Sequence, residues 1–159
     1  MRRRNLRRNV HPRISTVFLL IAVFAFSFTA DRATKYAACR LGWDTSFNSG
    51  VSFGLFCTAC PYAVTAANIA IIFVLFVLCI RSACACKPLF CSGCGMMLGG
   101  AAGNLADRLA RGHVIDWLPL PLSDILFEGG LWINAADAFL VLGSAAVLLD
   151  LWCEAKGKS

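Results

Sequence analysis

Three short runs carry side chains able to do chemistry: Gly103-Asn104-Leu105-Ala106-Asp107-Arg108, His113-Val114-Ile115-Asp116-Trp117 and Ile133-Asn134-Ala135-Ala136-Asp137. Their three carboxylates and two carboxamides sit at or beside the ends of segments otherwise apolar enough for lipid. An ionisable group at membrane depth costs roughly 2.5–3.5 kcal/mol on insertion scales, so such groups mark function by default. Two aspartates held close together cannot both ionise easily, and one keeps a proton. The ionised partner can take a proton from water as that water attacks a carbonyl. The protonated partner can hydrogen-bond the developing oxyanion and then serve the leaving amine. The chemistry implied is hydrolysis. Competing hydrolytic devices are missing from the sequence: His11 and His113 are the only histidines, no serine stands in a G-x-S-x-G elbow, and H-E-x-x-H does not occur. No metal site and no cofactor are expected.

Each of these residues also has a purely structural use. Asn104, Asp107 and Arg108 fall at i, i+3 and i+4, one face of a helix end. Asn134 and Asp137 repeat the i, i+3 relation, which suits an N-cap and an acid near the positive end of a helix dipole. Asp107 has Arg108 and Arg111 at hand as ion-pair partners. Asp116 is harder to explain in this way. It lies between Val114-Ile115 and Trp117-Leu118, an apolar setting that raises a carboxyl pKa unless a charge or hydrogen bond answers it.

The elements that must position these groups follow from composition. The chain has 159 residues, 58% hydrophobic and 15% charged, with a mean hydropathy of +0.69. Soluble domains carry about 25% charged residues, so a membrane protein is indicated. Four segments, 14–30, 62–80, 89–105 and 131–152, are near the 20 or so apolar residues that a bilayer core requires. The third carries Gly95-x-x-x-Gly99-x-x-x-Gly103, small residues that let helix backbones approach. Between the first two helices, 41–56 mixes aromatic and β-branched residues with Gly and Asn and predicts short strands or a hairpin at the interface. The stretch 118–130, with Pro119 and Pro121, is expected to be irregular or a short surface element.

Charge sets the orientation. With the N-terminus inside, ten basic residues lie inside, among them Arg2, Arg3, Arg4, Arg7, Arg8 and Arg13, against five outside. Both termini are then cytoplasmic and the polar runs share the outer face. The basic N-terminal run has no interleaved aromatics and reads as a membrane anchor, so the +6 net charge does not point to nucleic acid. The first segment resembles a cleaved signal peptide in its basic start and apolar run, but Phe26-Ser27-Phe28-Thr29-Ala30-Asp31 fits small-x-small cleavage poorly. The division expected is 1–13 basic cytoplasmic segment, 14–152 transmembrane domain and 153–159 cytoplasmic tail. Of the nine cysteines, Cys84-x-Cys86 and Cys91-x-x-Cys94 could be drawn as a four-thiolate zinc site, against which Cys84-x-Cys86 is not the usual spacing and Cys91 and Cys94 enter the third helix; Cys57 and Cys60 could pair with each other or with Cys39.

With these residues in view, the chain resembles the lipoprotein signal peptidase (signal peptidase II) family over nearly its whole length. The motifs run in the family's order. Asp31 and Lys35 form D-x-x-x-K; Asn48, Gly50, Phe53 and Gly54 form N-x-G-x-x-F-G. Gly103, Asn104, Asp107 and Arg108 form G-N-x-x-D-R; Val114 and Asp116 form V-x-D; Asn134, Ala136 and Asp137 form N-x-A-D. Trp117 and Ile133 stand where the family commonly has Phe. The resemblance implies an all-α membrane protein of four transmembrane helices with a small extracytoplasmic β element between helices 1 and 2, working as a monomer in the bacterial inner membrane. It implies an aspartic endopeptidase sensitive to globomycin, with diacylglyceryl-modified prolipoproteins and membrane lipids as partners, cutting just before the lipidated cysteine. The catalytic pair carries over to Asp116 and Asp137. Asn104, Asp107, Arg108 and Asn134 would orient pair and substrate, and Asp31, Lys35 and Asn48 would shape the site and its lid. Spacing alone leaves both Asp107 and Asp116 open as partner to Asp137; Asp116 is expected, because Asp107 has Arg108 adjacent to it. The alternative is a small four-helix transporter or channel subunit with a proton relay of aspartates, which would place carboxylates near the midplane.

Overall fold

The computed structural model describes residues 14–49, 61–84, 87–125 and 130–157. The four apolar segments are helices: α1 (Ile14–Leu41), α2 (Pro61–Cys84), α3 (Pro88–Arg111) and α4 (Ala135–Lys156). Each is long and apolar enough to cross a membrane. They exceed the hydropathy-based expectation at the charged ends. α1 continues past residue 30 because Asp31 and Lys35 form an i, i+4 ion pair rather than ending the helix. α4 continues to Lys156, so the expected boundary at 152 falls inside it.

α3 is the centre of the bundle and packs against each of the other three helices. Its small residues make this possible. A Cβ at Gly99 would stand 2.6 Å from Ser27 Cβ of α1, and one at Gly100 would stand 2.6 Å from the Ala136 carbonyl oxygen of α4. Without water to drive association, such close backbone approach is what holds helices together in lipid. On the other side of α3, Cys94 and Leu98 pack with Leu75 and Cys79 of α2 in a buried apolar cluster. At the end of the bundle away from the polar runs, Lys87 hydrogen-bonds Glu154 and lies 3.9 Å from Asp150, tying the start of α3 to the last turns of α4.

Short strands cover the other end. β1 (Ser46–Asn48) pairs antiparallel with β2 (Val114–Asp116), Ser46 opposite Asp116 and Asn48 opposite Val114. The β element expected between helices 1 and 2 is thus present, but its described strand finds its partner after α3. Phe47 stacks edge-on against His113 at 4.7 Å, and Trp43 meets Trp117 at 5.4 Å. The 118–130 stretch is more ordered than its prolines suggest. β3 (Leu118–Pro119) pairs with β4 (Trp132–Ile133), and Ser123–Ile125 form a 3-10 turn. Gly50, Phe53, Gly54, Cys57, Cys60 and Cys86 lie outside the described residues.

Candidate active site

Three backbone devices bring the polar runs together. Gly112 closes α3 in the left-handed region (φ 77°), its N–H bonding the Arg108 carbonyl, which turns the chain back into β2. The β3–β4 ladder, extended by Trp117 N–H to the Ile133 carbonyl (3.1 Å) and Leu120 N–H to the Leu131 carbonyl (2.7 Å), fastens the residues after Asp116 to those before Asn134. The first turn of α4 is then closed by a capping box: Asp137 N–H donates to Asn134 Oδ1 (3.1 Å) and Asn134 N–H donates to Asp137 Oδ2 (3.0 Å). The N-cap reading of Asn134 is therefore correct, and it does not compete with a role at the site.

One asparagine touches both carboxyl groups. Besides capping α4 with Asp137, Asn134 donates from Nδ2 to Asp116 Oδ1 (2.5 Å) and to Asn104 Oδ1 (3.2 Å). Asn104 donates from Nδ2 to Asp137 Oδ1 at 3.4 Å. Asn48 donates to Asp116 Oδ2 (3.2 Å) across the β1–β2 pair, where diagonal residues share a face. Both oxygens of Asp116 accept hydrogen bonds from carboxamides, and the residue is only 3% exposed. Burial first, and the neighbouring Asp137 second, push its pKa up to about 6. The apolar setting expected from Val114-Ile115 is real, since both are buried.

Behind these groups lies an ion cluster. Lys35, 1% exposed, places its ammonium 2.9 Å from Asp31 Oδ2, 2.8 Å from Asp107 Oδ2 and 2.8 Å from Asn104 Oδ1. An ammonium has three donors and no acceptor. Lys35 and Asn134 Nδ2 both donate to the Asn104 oxygen, which leaves the Asn104 nitrogen for Asp137. Asp31 Oδ1 accepts the Ala136 N–H (3.1 Å), one of the orphan amides at the start of α4. Gly103 is required there, because a Cβ would collide with the Asp31 carboxylate.

A cavity of about 570 Å³ opens over the pair. Asn48, Asn104, Arg108, Asp116, Asn134 and Asp137 line it together with apolar residues such as Leu120, Trp132, Leu140 and Val141. Asp31, Lys35 and Asp107 do not line it. The i, i+3, i+4 trio on α3 is thus divided: Asn104 and Arg108 face the cavity, while Asp107 turns to α1. The Asp107 partners include Arg111 (2.9 Å), as expected, and also Arg32 (2.5 Å) and Lys35 of α1 rather than the adjacent Arg108. Neighbours in helix sequence point about 100° apart, which makes adjacency a poor guide to pairing. Arg32 was not among the residues expected at the site; its place beside Asp31 and three residues before Lys35 was the available signal. Among the described residues no cluster of His, Cys, Asp and Glu is arranged to hold a metal ion.

The arrangement is two carboxyl groups, one in a pK range where it can hold or lose a proton, facing an apolar cavity with an arginine. The family model for signal peptidase (SPase) II matches residues 19–153. A lipoprotein signal peptidase of Bartonella tribocorum is 33% identical over 164 residues, 92% of this chain and 95% of its own. That of Bartonella bacilliformis is 35% identical over 153 residues, 88% of this chain and 91% of its own. That of Mesorhizobium japonicum is 34% identical over 110 residues, 66% of this chain and 60% of its own, so the match spans under two thirds of this last relative. Two solved structures described as bacterial membrane enzymes have the same fold at 17% identity. One gives a TM-score of 0.67 over 91% of this chain and 92% of its own. The other gives 0.60 over 86% and 92%.

Proposed function

The chain belongs to the signal peptidase II family, and on that footing we propose that it is a membrane aspartyl endopeptidase with Asp116 and Asp137 as its catalytic pair. Its substrate is a diacylglyceryl-modified prolipoprotein, cut on the N-terminal side of the lipidated cysteine at the outer face of the bacterial inner membrane, with both termini of the enzyme in the cytoplasm. The observation that carries this reading is the shared contact of one asparagine with both carboxyl groups at the floor of an apolar cavity.

The pair holds one proton between its two carboxyl groups. The ionised carboxylate accepts a proton from water while the water oxygen adds to the scissile carbonyl carbon. The carboxylic acid gives its proton to the carbonyl oxygen, so a neutral tetrahedral diol forms. Collapse breaks the C–N bond, with one proton returned to the cysteine nitrogen and one to the pair. The carboxamides of Asn48, Asn104 and Asn134 fix the carboxyl groups without adding charge. Arg108 supplies the positive charge on the cavity wall, suited to a substrate carbonyl or a lipid oxygen. The apolar wall of Leu120, Trp132, Leu140 and Val141 suits an acyl chain or an apolar signal peptide. Asp107, engaged by three cations, supports the site from behind.

The test is conversion of a synthetic precursor by the purified full chain in lipid, with and without the diacylglyceryl group, and with the product bond read by mass spectrometry. Cleavage before the cysteine, dependent on the lipid and unaffected by EDTA, is expected. Equal cleavage of the unmodified peptide, or activity lost to EDTA and regained with zinc, contradicts the reading.

A further inference from the structure

The ion cluster behind the pair has an outer member to which the reading above gives no role. Arg32 lies on α1 at the edge of the bundle, its side chain 29% exposed. Its guanidinium reaches across to α3, donating to Asp107 Oδ1 at 2.5 Å and to the Gly103 carbonyl at 3.4 Å. Arg111 donates to the same Asp107 oxygen from within α3, at 2.9 Å and with its side chain 43% exposed. With Oδ1 taken by two arginines, Asp107 turns Oδ2 to Lys35 at 2.8 Å.

We propose that Arg32 is a positioning residue for the catalytic pair, acting through Asp107 and Lys35 on the carboxamide of Asn104. The sequence of contacts has a fixed polarity. Arg32 sets which Asp107 oxygen meets Lys35. Lys35, a donor with no acceptor, sets which end of the Asn104 amide faces it, as does Asn134 Nδ2. Asn104 then has only its NH2 group to offer Asp137. Arg111 cannot replace Arg32 in this, because it sits on the same helix as Asp107 and holds nothing of α1. Without Arg32, Asp107 is tied to α1 through Lys35 alone, so the ammonium that meets the Asn104 oxygen, and the Asn104 nitrogen that meets Asp137, are less firmly placed. Arg32 does not line the cavity, so its loss leaves the surface that meets substrate unchanged.

This inference rests on the peptidase reading, and the experiment separates the two. Purified full-length wild type, Arg32→Gln, Arg32→Lys and Arg111→Gln are assayed on the lipidated precursor, with thermal midpoints measured in the same lipid. Arg40→Gln, an exposed cation whose partner is Tyr36, controls for net charge and is expected to behave as wild type. Arg32→Gln is expected to lower kcat about tenfold with KM within about twofold, the size of effect that contact networks transmit. Arg32→Lys keeps the charge but not the planar guanidinium, and should lose only about threefold in kcat. Arg111→Gln should lose less than Arg32→Gln. Full kcat in Arg32→Gln overturns the proposal, as does a loss seen in KM alone, or one that Arg32→Lys does not recover. If Arg32→Gln does not fold, Arg32→Met takes its place: a drop in kcat at constant KM supports the proposal, and full kcat overturns it. A wild type that does not cleave removes the peptidase reading and this inference with it. A wild type that cleaves, beside a fully active Arg32→Gln, removes this inference alone.

Discussion

Asp116 shows what the site costs the fold. Its folded-state pKa of about 6 lies above the ordinary 3.8, so the folded state holds this proton more tightly than the unfolded state does. The stability this confers is complete below pH 3.8 and is lost as pH rises through about 6. At about 1.4 kcal/mol for each pH unit, the whole effect is roughly 3 kcal/mol, a large part of a protein's net stability. Asp116→Asn removes the titration but keeps the shape. The thermal midpoint of wild type relative to this variant is therefore expected to fall between pH 4 and 7 and to level off above. A difference that stays flat with pH contradicts the assignment of the shift to burial. Behind Asp116, Lys35 is a buried charge met by two carboxylates and the Asn104 carboxamide oxygen.

α3 and α4 are placed by their backbones more than by their side chains. Gly100 allows the α3 backbone to come against the Ala136 carbonyl, one residue before Asp137. A methyl group there meets a rigid carbonyl at 2.6 Å, so α4 must move and carry Asn134 and Asp137 with it. Overpacking of this kind costs about 1–3 kcal/mol, and displacement by about an ångström at a reacting centre costs about a hundredfold in rate. Gly100→Ala is thus expected to lose one to two orders of magnitude in kcat while still accumulating in the membrane; near-normal kcat would show that α4 is not held there. The glycine spacing was legible in the sequence, as were the four helices, because hydropathy and small-residue periodicity are local signals. The continuation of α1 to Leu41 was not, since a hydropathy reading stops at Asp31 and cannot see that Lys35 and the Ala136 N–H satisfy it. The pairing of β1 with β2 and of β3 with β4 was equally hidden. Strands of two or three residues take their register from neighbours distant in sequence.

Taken together, the helices carry Asp31, Asp107 and Asp137 to one end of the bundle rather than to its middle, while Asp150 and Glu154 of α4 lie at the other. Asp31 and Asp107 lie toward the C-terminal ends of α1 and α3, and Asp137 lies in the first turn of α4. That favours hydrolysis at a membrane boundary over a relay through its midplane. The proposed topology puts this end outside. Cys39, exposed near the end of α1, should then react with an impermeant maleimide from the outer side, and Cys153, exposed near the end of α4, only after permeabilisation. The labelling is read in variants that keep one cysteine each; the reverse pattern contradicts the orientation. The order of motifs made the candidate residues legible, and spacing left Asp107 and Asp116 as rivals. Three cations around Asp107, two of them from another helix, decide which of the two faces the cavity. The most direct measurement is the single-turnover cleavage rate of the lipidated precursor by Asp116→Asn, Asp137→Asn and the double variant, each at confirmed membrane levels. Groups acting as one unit give losses that do not add. Each single change is expected to lower the rate at least about a thousandfold, with the double variant no slower than either. Substantial cleavage by either single variant, or losses that multiply in the double, would contradict a shared role for the two aspartates.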